Sequence, residues 1–315
     1  MQAVILAAGK GKRLQPFTLS HSKAMAPIVG KPISARVLDN LIEVGITDVI
    51  FVVAPKDNEL IDYFNHNYSN KIDIKFAFQN ERLGMGHALN CASDLIVDDF
   101  IVSACDSLIP AKNLEQMVAL FKSSNVAGVL SLMEIPWETV SKRGVVEFNG
   151  DHKIIRIVEK PAIENAPSNI GSLPIYVFRR ELIDYLPKIN MSERGEYELQ
   201  DAIQMLIDDY GYLEGVNVDE RYDLSNMDDL LNINLQFLKK MKKSVIQSKL
   251  PKGTVIRDPV FIGEGVEIGA ECVIGPNVFL ENGCVVGDGV KMLNVVVVKG
   301  GNTEMGCDIE GEVLV

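Results

Sequence analysis

Residues 4–18, VILAAGKGKRLQPFT, run from an apolar stretch directly into two closely spaced glycines and a cluster of positive charge. The apolar part predicts a short buried strand, and the glycines predict the turn that follows it. Glycine lets backbone N–H groups approach a phosphate closely, and adjacent cations neutralise its charge. The segment therefore predicts a strand of an α/β fold that ends in an anion-binding loop, although a tight turn with solvated lysines is the simpler alternative.

The distribution of charge supports an anionic ligand near this loop. The chain has a formal net charge of −12 and a pI of about 4.9, which argues against general binding to nucleic acid or to an anionic membrane. No carboxylate precedes Asp39, and the charged residues before it are all basic: Lys10, Lys12, Arg13, Lys23, Lys31 and Arg36. The positive charge is therefore local, as expected for a bound anion.

Length and composition indicate the class of protein. A chain of 315 residues with 47% apolar composition can form roughly two domains. The five cysteines are widely spaced and include no C-x-x-C pair, so neither a disulfide framework nor a zinc site is predicted. The opening apolar run is too short to span a membrane. We expect a cytoplasmic protein with no membrane or nucleic-acid partner.

Up to about Tyr222, short apolar runs alternate with helical patterns. Strands are predicted at AVILAA, DVIFVVA, IKFAFQ, DFIVSAC, AGVLSLM and PIYVFR, and PISARVLDNLIEVG has helical spacing. This alternation predicts a mainly parallel, Rossmann-like sheet with helices on both faces. A ligand is expected beyond the carboxyl ends of the strands.

A second pattern begins after the predicted helix NMDDLLNINLQFLKKMKKSV. Apolar residues recur every six positions, at Ile262, Ile268, Ile274, Leu280, Val286, Met292 and Val298. This period is typical of a left-handed parallel β-helix with three hexapeptides in each coil. Residues about eighteen positions apart should then stack, which pairs Ile262 with Leu280, Ile268 with Val286 and Ile274 with Met292. Cys272 and Cys284 should lie on different faces and remain unpaired.

Several further segments carry side chains suited to chemistry. The loop after the first strand is neither a Walker loop nor a dinucleotide fingerprint, since Leu14 stands where the latter needs its third glycine. Another strand is followed by Gln79, whose amide can pair with a nucleobase edge, and by glycines that leave room for a flat ring. Two more strands end on polar residues, at Asp106 and at Glu159-Lys160. Asp106 alone could equally cap the next turn.

Together these motifs resemble the nucleotide-sugar pyrophosphorylases, or sugar-1-phosphate nucleotidyltransferases. Members of that family open with LAAGxGxRLxPxT, and carry a lysine segment, a glutamine–glycine segment, an Asp at a strand end, EKP and a late Asp before a helix. The resemblance covers Met1 to about Lys243 and implies a nucleotidyltransferase domain over residues 1–243. The hexapeptides resemble the β-helix of many members, which implies a β-helix domain over 244–315.

The resemblance also implies roles for individual residues. The nucleotide would be bound by Ala8, Gly9, Gly11, Gln79 and Gly84. The catalytic cations would be Arg13 at the triphosphate and Lys23 at the α-phosphate. The sugar 1-phosphate would be held by Gly144, Glu159, Lys160 and Asn169. Mg²⁺ would be held by Asp106 and Asp223.

Some positions depart from the family pattern. Cys105 precedes Asp106 where glycine is frequent, Pro174 also replaces a frequent glycine, and Ser22 replaces a usual proline. Residues 225–228, Ser-Asn-Met-Asp, could form an ordinary capping box with Asp223 merely nearby.

The implied reaction joins an NTP and a sugar 1-phosphate to give an NDP-sugar and pyrophosphate. The AAG form of the loop resembles the pyrimidine-using members more than the guanylyl-transferring ones, which implies dTTP or UTP, with glucose 1-phosphate as the first choice of sugar. The alternatives are a GlcNAc-1-phosphate uridylyltransferase, a mannose-1-phosphate guanylyltransferase, or a non-catalytic regulatory relative that binds nucleotide-sugar. Acetyl transfer is not expected, because all four histidines precede residue 153 and none lies in the repeats. A short β-helix leaves an open coil edge, so a homo-oligomer is expected.

Overall fold

A computed structural model describes residues 1–315. The chain divides into two compact units, one made of Met1–Gly9 and Arg36–Tyr222 and the other of Lys10–Ala35 and Asp223–Val315. No helix in either unit combines the length and the apolar composition needed to cross a bilayer. The functional boundary placed after residue 243 stays a prediction.

The regular elements are as follows. The helices are α1 (Ile33–Glu43), α2 (Asn58–Tyr68), α3 (Met85–Asn90), α4 (Ala111–Ser123), α5 (Leu199–Tyr210) and α6 (Met227–Lys240). The strands before the repeats are β1 (Gln2–Leu6), β2 (Pro27–Ile28), β3 (Lys31–Pro32), β4 (Asp48–Val53), β5 (Asp73–Phe78), β6 (Phe100–Ala104), β7 (Ser107–Leu108), β8 (Gly128–Glu134), β9 (Gly144–Phe148), β10 (Ile154–Glu159), β11 (Ile170–Phe178), β12 (Glu214–Asn217) and β13 (Tyr222–Asp223). The repeat strands are β14 (Val245–Ile246), β15 (Val255–Ile256), β16 (Val260–Ile262), β17 (Glu267–Ile268), β18 (Val273–Ile274), β19 (Val278–Leu280), β20 (Val285–Val286), β21 (Lys291–Leu293), β22 (Val295–Val297), β23 (Asn302–Thr303), β24 (Asp308–Glu310) and β25 (Val313–Leu314).

A nine-stranded mixed sheet forms the core of the first unit. Its main path is β10-β9-β11-β6-β1-β4-β5, and β8 pairs with both β11 and β12. Strands β6, β1, β4 and β5 are parallel to one another, as the sequence predicts. Strand β11 runs antiparallel to β6, β8 and β9, which the sequence did not predict. The Rossmann-like class is confirmed, with an antiparallel half added to the parallel one.

The position of β1 defines where a ligand can bind. From β1 the chain continues to β4 and β5 on one side, and then crosses to β6 on the other. The point where the strand order reverses is the place where parallel α/β sheets open a crevice at their carboxyl ends. Here that crevice lies after Leu6 of β1 and Ala104 of β6, which pair with each other. Ala8, Gly9 and Asp106 therefore come directly after the strands that flank the switch point.

The second unit combines an N-terminal segment with helix α6 and the repeats. The segment forms three short 3-10 turns, at Lys12–Leu14, Phe17–Leu19 and Lys23–Met25, followed by the β2–β3 hairpin. Leu14 and Phe17 are buried and anchor the first two turns. The positively charged segment is thus held in place by buried apolar side chains of its own.

The repeats form a left-handed parallel β-helix. Its three faces are parallel sheets, with orders β14-β16-β19-β22-β25, β15-β18-β21-β24 and β17-β20-β23. The three predicted stacking pairs are all present: Ile262 with Leu280, Ile268 with Val286 and Ile274 with Met292. Cys272 and Cys284 are both buried and free, as expected. The six-residue period therefore predicted the side-chain register of the coil.

The prediction that Val298 continues the register was wrong. Leu280 pairs with Val297, because the turn after Met292 is one residue shorter than a hexapeptide allows. Asn294 has a positive φ in this turn, and its side chain accepts a hydrogen bond from Asn277 of the coil before, at 2.8 Å. The parallel pairing begins at Val245, before Ile262, where the predicted six-residue period starts.

Replacing Leu280 with Ala tests the packing of the coil. Leu280 is fully buried inside the coil, so its truncation should lower the free energy of unfolding by about 3 kcal/mol, measured by urea denaturation. Val285 is 44% exposed, and Val285→Ala should change stability by less than about 0.5 kcal/mol. Equal losses in the two variants would contradict the assigned inward and outward faces.

Candidate functional site

The first part of the candidate site lies at the mouth of β1 and β6. Ala7 N–H donates to Val52 O at 2.7 Å, and Cys105 N–H donates to Leu6 O at 3.2 Å. The segments after β1 and β6 therefore remain hydrogen-bonded to the sheet for one residue beyond each strand. Beyond that point, a Cβ placed on Gly9 would meet no atom within 4 Å. The backbone at Gly9 is therefore accessible, as a loop that approaches a ligand requires.

Gln79 follows β5 and is held in a defined orientation. Its side chain is 4% exposed, and its Nε2 donates to Gly84 O at 3.1 Å and lies 3.1 Å from His87 Nδ1. The amide nitrogen is thus committed to the protein. The amide oxygen, Oε1, remains as an acceptor for a ligand donor.

The glycines after Gln79 have a packing role. A Cβ on either Gly84 or Gly86 would lie 2.8 Å from Tyr197 O. Gly86 N–H donates to Tyr197 O at 2.9 Å, and Tyr197 N–H donates to Leu83 O at 2.7 Å. These contacts hold the segment that carries Gln79 against the segment before α5. Binding of a base at Gly84 stays a prediction beside this observed role.

Arg82 is a residue that the sequence analysis missed. Its Nε donates to Ala8 O at 2.5 Å, in a part-buried hydrogen bond of an otherwise exposed residue. The bond fixes the carbonyl of the loop after β1 to the segment that carries Gln79. A cation two residues before Gly84 was visible in the sequence, but nothing in its spacing pointed to Ala8.

Gly144 and Glu159 form the second part of the candidate site. They lie opposite each other on β9 and β10, and the Glu159 side chain lies across Gly144. A Cβ on Gly144 would lie 2.9 Å from Glu159 Oε2 and 3.3 Å from Gln200 Nε2. Glycine is therefore needed here to make room for the carboxylate.

The two oxygens of Glu159 have different environments. Oε1 accepts from Lys160 Nζ at 3.1 Å, whereas Oε2 is buried with no hydrogen-bond partner. Burial raises the pKa of Glu159 above its ordinary value, the neighbouring Lys160 opposes this shift, and Glu198 adds to it. A buried acceptor without a protein donor is uncommon, and a role for this oxygen in binding sugar 1-phosphate stays a prediction.

A polar cluster behind Glu159 was also missed. Glu198 is 6% exposed, and its Oε1 accepts from Ser192 Oγ at 3.0 Å and from Arg194 Nε and Nη2 at 3.1 and 2.8 Å. Tyr176 is fully buried, its hydroxyl lies 2.6 Å from Ser172 Oγ, and burial raises its pKa. The charge-dense run SERGEYE, residues 192–198, directly before a helical pattern was the available signal.

Asn169 is held by hydrogen bonds to the end of β8. Its Nδ2 donates to Glu134 Oε1 and to Ile135 O, both at 3.1 Å. These bonds join the start of β11 to the end of β8. The role of Asn169 in binding sugar stays a prediction beside these observed bonds.

In the second unit, Gly11 organises the basic loop. It has a φ of +59°, and Thr18 Oγ1 donates to its carbonyl at 2.9 Å. A Cβ on Gly11 would lie 2.9 Å from Thr18 Cγ2 and 3.0 Å from Lys23 Cβ. Both the backbone conformation and the close approach require glycine, and the result places Lys23 beside Gly11. Arg13 is exposed one turn further along.

The start of α6 clarifies the surroundings of Asp223. Asn226 Oδ1 accepts from Asp229 N–H at 2.9 Å, and Asp229 Oδ2 accepts from Asn226 N–H at 3.0 Å. The capping box thus runs from Asn226 to Asp229, one residue later than the sequence suggested. Asp223 lies outside the box, so the cap does not account for it.

Carboxylate side chains suit Mg²⁺ that is shared with a substrate. The chain has no group of three or more His, Cys, Asp or Glu side chains that could hold a resident metal ion. Mg²⁺ is commonly bound by one or two carboxylates together with substrate phosphates. Asp106 and Asp223 offer hard oxygen donors of that kind, and their role as ligands stays a prediction.

Comparison with known proteins identifies the family. The family model described as nucleotidyl transferase matches residues 2–240. The chain therefore belongs to the nucleotidyl transferase family.

Among curated relatives, the bifunctional protein GlmU of Methanococcus maripaludis is 36% identical over 269 residues, which cover 85% of this chain and 62% of that protein. The chain thus spans about three fifths of the length of these relatives. The UTP–glucose-1-phosphate uridylyltransferase AglF of Haloferax volcanii is 33% identical over 230 residues, which cover 73% of this chain and 93% of that protein.

Solved structures agree with the fold. A UDP-glucose pyrophosphorylase complexed with UDP-glucose matches with a TM-score of 0.71 and 25% sequence identity, over 76% of this chain and 99% of that chain. A UDP-glucose pyrophosphorylase from Acinetobacter baumannii matches with a TM-score of 0.67 and 25% identity, over 76% of this chain and 94% of that chain.

Replacing Glu159 with Gln tests the electrostatics of the site. Because the folded state raises the pKa of Glu159, the ionised carboxylate disfavours folding above that pKa, and this effect disappears as the pH falls through it. Glu159→Gln should therefore raise Tm by about 1–3 °C at neutral pH. The gain should shrink toward pH 4, where the native side chain becomes neutral too. A Tm that falls at neutral pH would contradict a desolvated carboxylate at this position.

Proposed function

We propose that this chain joins an NTP to a sugar 1-phosphate, giving an NDP-sugar and pyrophosphate. The observation that carries the proposal is the buried, unpartnered Oε2 of Glu159 beside the ammonium group of Lys160. A sugar 1-phosphate presents the two complementary groups, a hydroxyl that can donate to Oε2 and an anionic phosphate for Lys160. The missing Cβ of Gly144 leaves space along the carboxylate.

The relatives support the same class of reaction. One is a UTP–glucose-1-phosphate uridylyltransferase of which 93% is matched, and a solved relative holds UDP-glucose. We extend their chemistry to this chain as a nucleotidyl transfer only. A non-catalytic relative would bind nucleotide-sugar through the same residues without turnover.

The orientation of Gln79 favours a uracil or thymine base. Its Nε2 is committed to Gly84 O, which leaves Oε1 as the group that meets a base. Oε1 accepts hydrogen bonds, so it would pair with the N3–H of uracil or thymine and would meet only an acceptor at N3 of cytosine. We therefore favour UTP or dTTP over CTP, with glucose 1-phosphate ahead of GlcNAc 1-phosphate.

The transfer needs little covalent chemistry from the protein. An oxygen of the sugar phosphate, already ionised near neutral pH, attacks the α-phosphorus, and the bond from that phosphorus to the β-phosphate oxygen breaks to release pyrophosphate. Arg13 and Lys23 would neutralise charge on the triphosphate, while Glu159 and Lys160 would orient the attacking phosphate. Mg²⁺, held by Asp106 and Asp223, would supply further charge neutralisation. Mannose-1-phosphate guanylyl transfer is the remaining alternative within the class.

Assembly and location are further parts of the proposal. Burial of the open coil edge of the β-helix against a second copy would protect its unpaired backbone groups. The five free cysteines are compatible with a reducing cytoplasm.

A pyrophosphate-release matrix tests the reaction. Purified protein with Mg²⁺ is given UTP, dTTP, CTP, ATP or GTP together with glucose, GlcNAc or mannose 1-phosphate. We expect release with UTP or dTTP and at least about tenfold less with CTP, because one base-pairing hydrogen bond becomes a repulsion. If no combination of NTP and sugar 1-phosphate releases pyrophosphate, the enzymatic proposal is overturned. Binding of nucleotide-sugar without release of pyrophosphate would identify a regulator.

Replacing Gly144 with Ala tests the sugar-phosphate subsite. The new Cβ would displace Glu159 Oε2, so KM for the sugar 1-phosphate should rise by about tenfold or more with a small change in KM for the NTP. Gly150→Ala is the matched control, since a Cβ there meets no atom within 4 Å. An unchanged KM in Gly144→Ala would exclude this subsite.

A further inference from the structure

The β-helix has an apolar outer stripe that ordinary coil packing does not explain. Phe261, Phe279 and Val296 stack in register on β16, β19 and β22, beside inward residues that fill the coil. Phe279 and Val296 are nevertheless fully buried although they point out of the coil, and Phe279 meets Phe261 edge to face with ring centroids 5.5 Å apart. Helix α6 and the β2–β3 hairpin belong to the same unit, and α6 packs on both the hairpin and this face.

The tip of the hairpin rests directly on Phe261. A Cβ on Gly30 would lie 2.5 Å from Phe261 Cζ and 3.0 Å from its Cε1. The ring therefore lies against the Cα of Gly30, and no other residue fits at this position without movement. Gly30 also has a φ of +76°, which favours glycine independently.

The neighbouring tip residue is held in an unfavourable conformation. Val29 has a φ of +45°, in a two-residue turn where Asn is usually preferred. A β-branched residue in the left-handed region persists only when its surroundings fix it. Here Val29 N–H donates to Asn234 Oδ1 of α6 at 2.7 Å, and Asn234 Nδ2 donates to Pro27 O at 3.0 Å. Asn234 is fully buried between these partners.

A short run of hydrogen bonds connects this hairpin to Lys23. Ile33 N–H donates to Ala26 O at 2.9 Å, Ser34 Oγ donates to Ala24 O at 2.7 Å, and Ala26 N–H donates to Lys23 O at 3.1 Å. Lys23 Cβ in turn packs where Gly11 has no side chain. The contacts run from the β-helix through the hairpin to the turn that carries the cation.

We propose that Phe261 and Asn234 are positioning residues for nucleotidyl transfer, and that the β-helix acts through them as the support on which the Lys23 turn is built. The coil is then part of the catalytic apparatus of its own chain, in addition to any role in assembly. This inference rests on the proposed function, because Lys23 is there assigned to the α-phosphate. Loosening the hairpin should impair use of the NTP and leave the sugar 1-phosphate subsite intact.

Hydrogen exchange of the full-length, substrate-free protein tests the structural half of the proposal. In Phe261→Ala, protection of the amides of Ala26, Val29 and Ile33 should fall by about tenfold or more. Val286→Ala removes buried volume from the coil but lies on another sheet, so it should leave those amides protected. Equal protection of the hairpin in wild type and Phe261→Ala would overturn the proposal.

Gly30→Ala disturbs the same contact at its hairpin side, and it replaces Phe261→Ala as the test if that variant does not fold. It should deprotect the same amides, whereas Gly265→Ala should not, since Gly265 has a similar φ of +65° and a Cβ there meets no atom within 4 Å. In the double variant with Phe261→Ala, the two losses should be less than additive. Additive losses would show that Gly30 and Phe261 act separately and would contradict the proposal.

Kinetics test the functional half. In Phe261→Ala and Gly30→Ala, kcat/KM for the NTP should fall by about tenfold or more, while KM for the sugar 1-phosphate changes by less than about twofold. Val286→Ala and Gly265→Ala should retain wild-type values. Loss of amide protection in the hairpin with unchanged kinetics would overturn the positioning role. An inactive wild-type protein would reject the proposed function, and hydrogen exchange alone would then test whether the β-helix supports the hairpin.

Discussion

The parallel pairing of β1 between β4 and β6 is the constraint on which the candidate site depends. Because the chain leaves β1 toward β4 and later returns to β6 on the other side, the strand order reverses at the carboxyl ends of β1 and β6. That reversal places the loop after Leu6 and the aspartate after Cys105 at one edge of the sheet. Val4 and Val102 pair with each other, and both are fully buried. A one-residue slip of β6 along β1 would turn Val102 to the opposite face of the sheet. The core thus fixes the register, and the register fixes where Gly9 and Asp106 emerge.

Glycines serve three different purposes in the two units. Gly9 leaves open space, Gly144 makes room for a carboxylate, and Gly11 adopts a left-handed conformation beside Lys23. In each case the absence of a side chain lets another group reach a defined position. The result in the first unit is a buried carboxylate oxygen that no protein donor satisfies. Such an oxygen disfavours the free protein, and the proposed function assigns it to a hydroxyl of the sugar 1-phosphate.

Local patterns made much of the fold predictable. The strands and the six-residue period depend on neighbouring residues, so β1, β4, β5, β6 and the stacking of Ile262 on Leu280 followed from the sequence. The antiparallel placement of β11 did not, because it depends on pairing with strands distant in sequence. The turn after Met292, which is one residue shorter than the repeat, could not be predicted either. Val297 and Val298 are both apolar, so the sequence pattern does not show which of them continues the register.

Residue types and motifs suggested candidate site residues, but they did not reveal the contacts that support those residues. Glu159 and Lys160 could be identified from their motif. The packing of Tyr197 against Gly84, the bond from Arg82 to Ala8 and the cluster around Glu198 could not, because each joins segments far apart in the chain. The same holds for Asn234, a polar residue within an amphipathic helix whose buried partners belong to a hairpin about two hundred residues earlier.

The fate of the nucleotide phosphates tests the central claim most directly. The protein is incubated with Mg²⁺, glucose 1-phosphate and UTP or dTTP labelled at either the α- or the γ-phosphate, and the products are separated. Attack on the α-phosphorus predicts α-label in the nucleotide-sugar and γ-label in pyrophosphate. Appearance of γ-label in orthophosphate or in a sugar phosphate would contradict the account, because it would place the reaction at a different phosphorus.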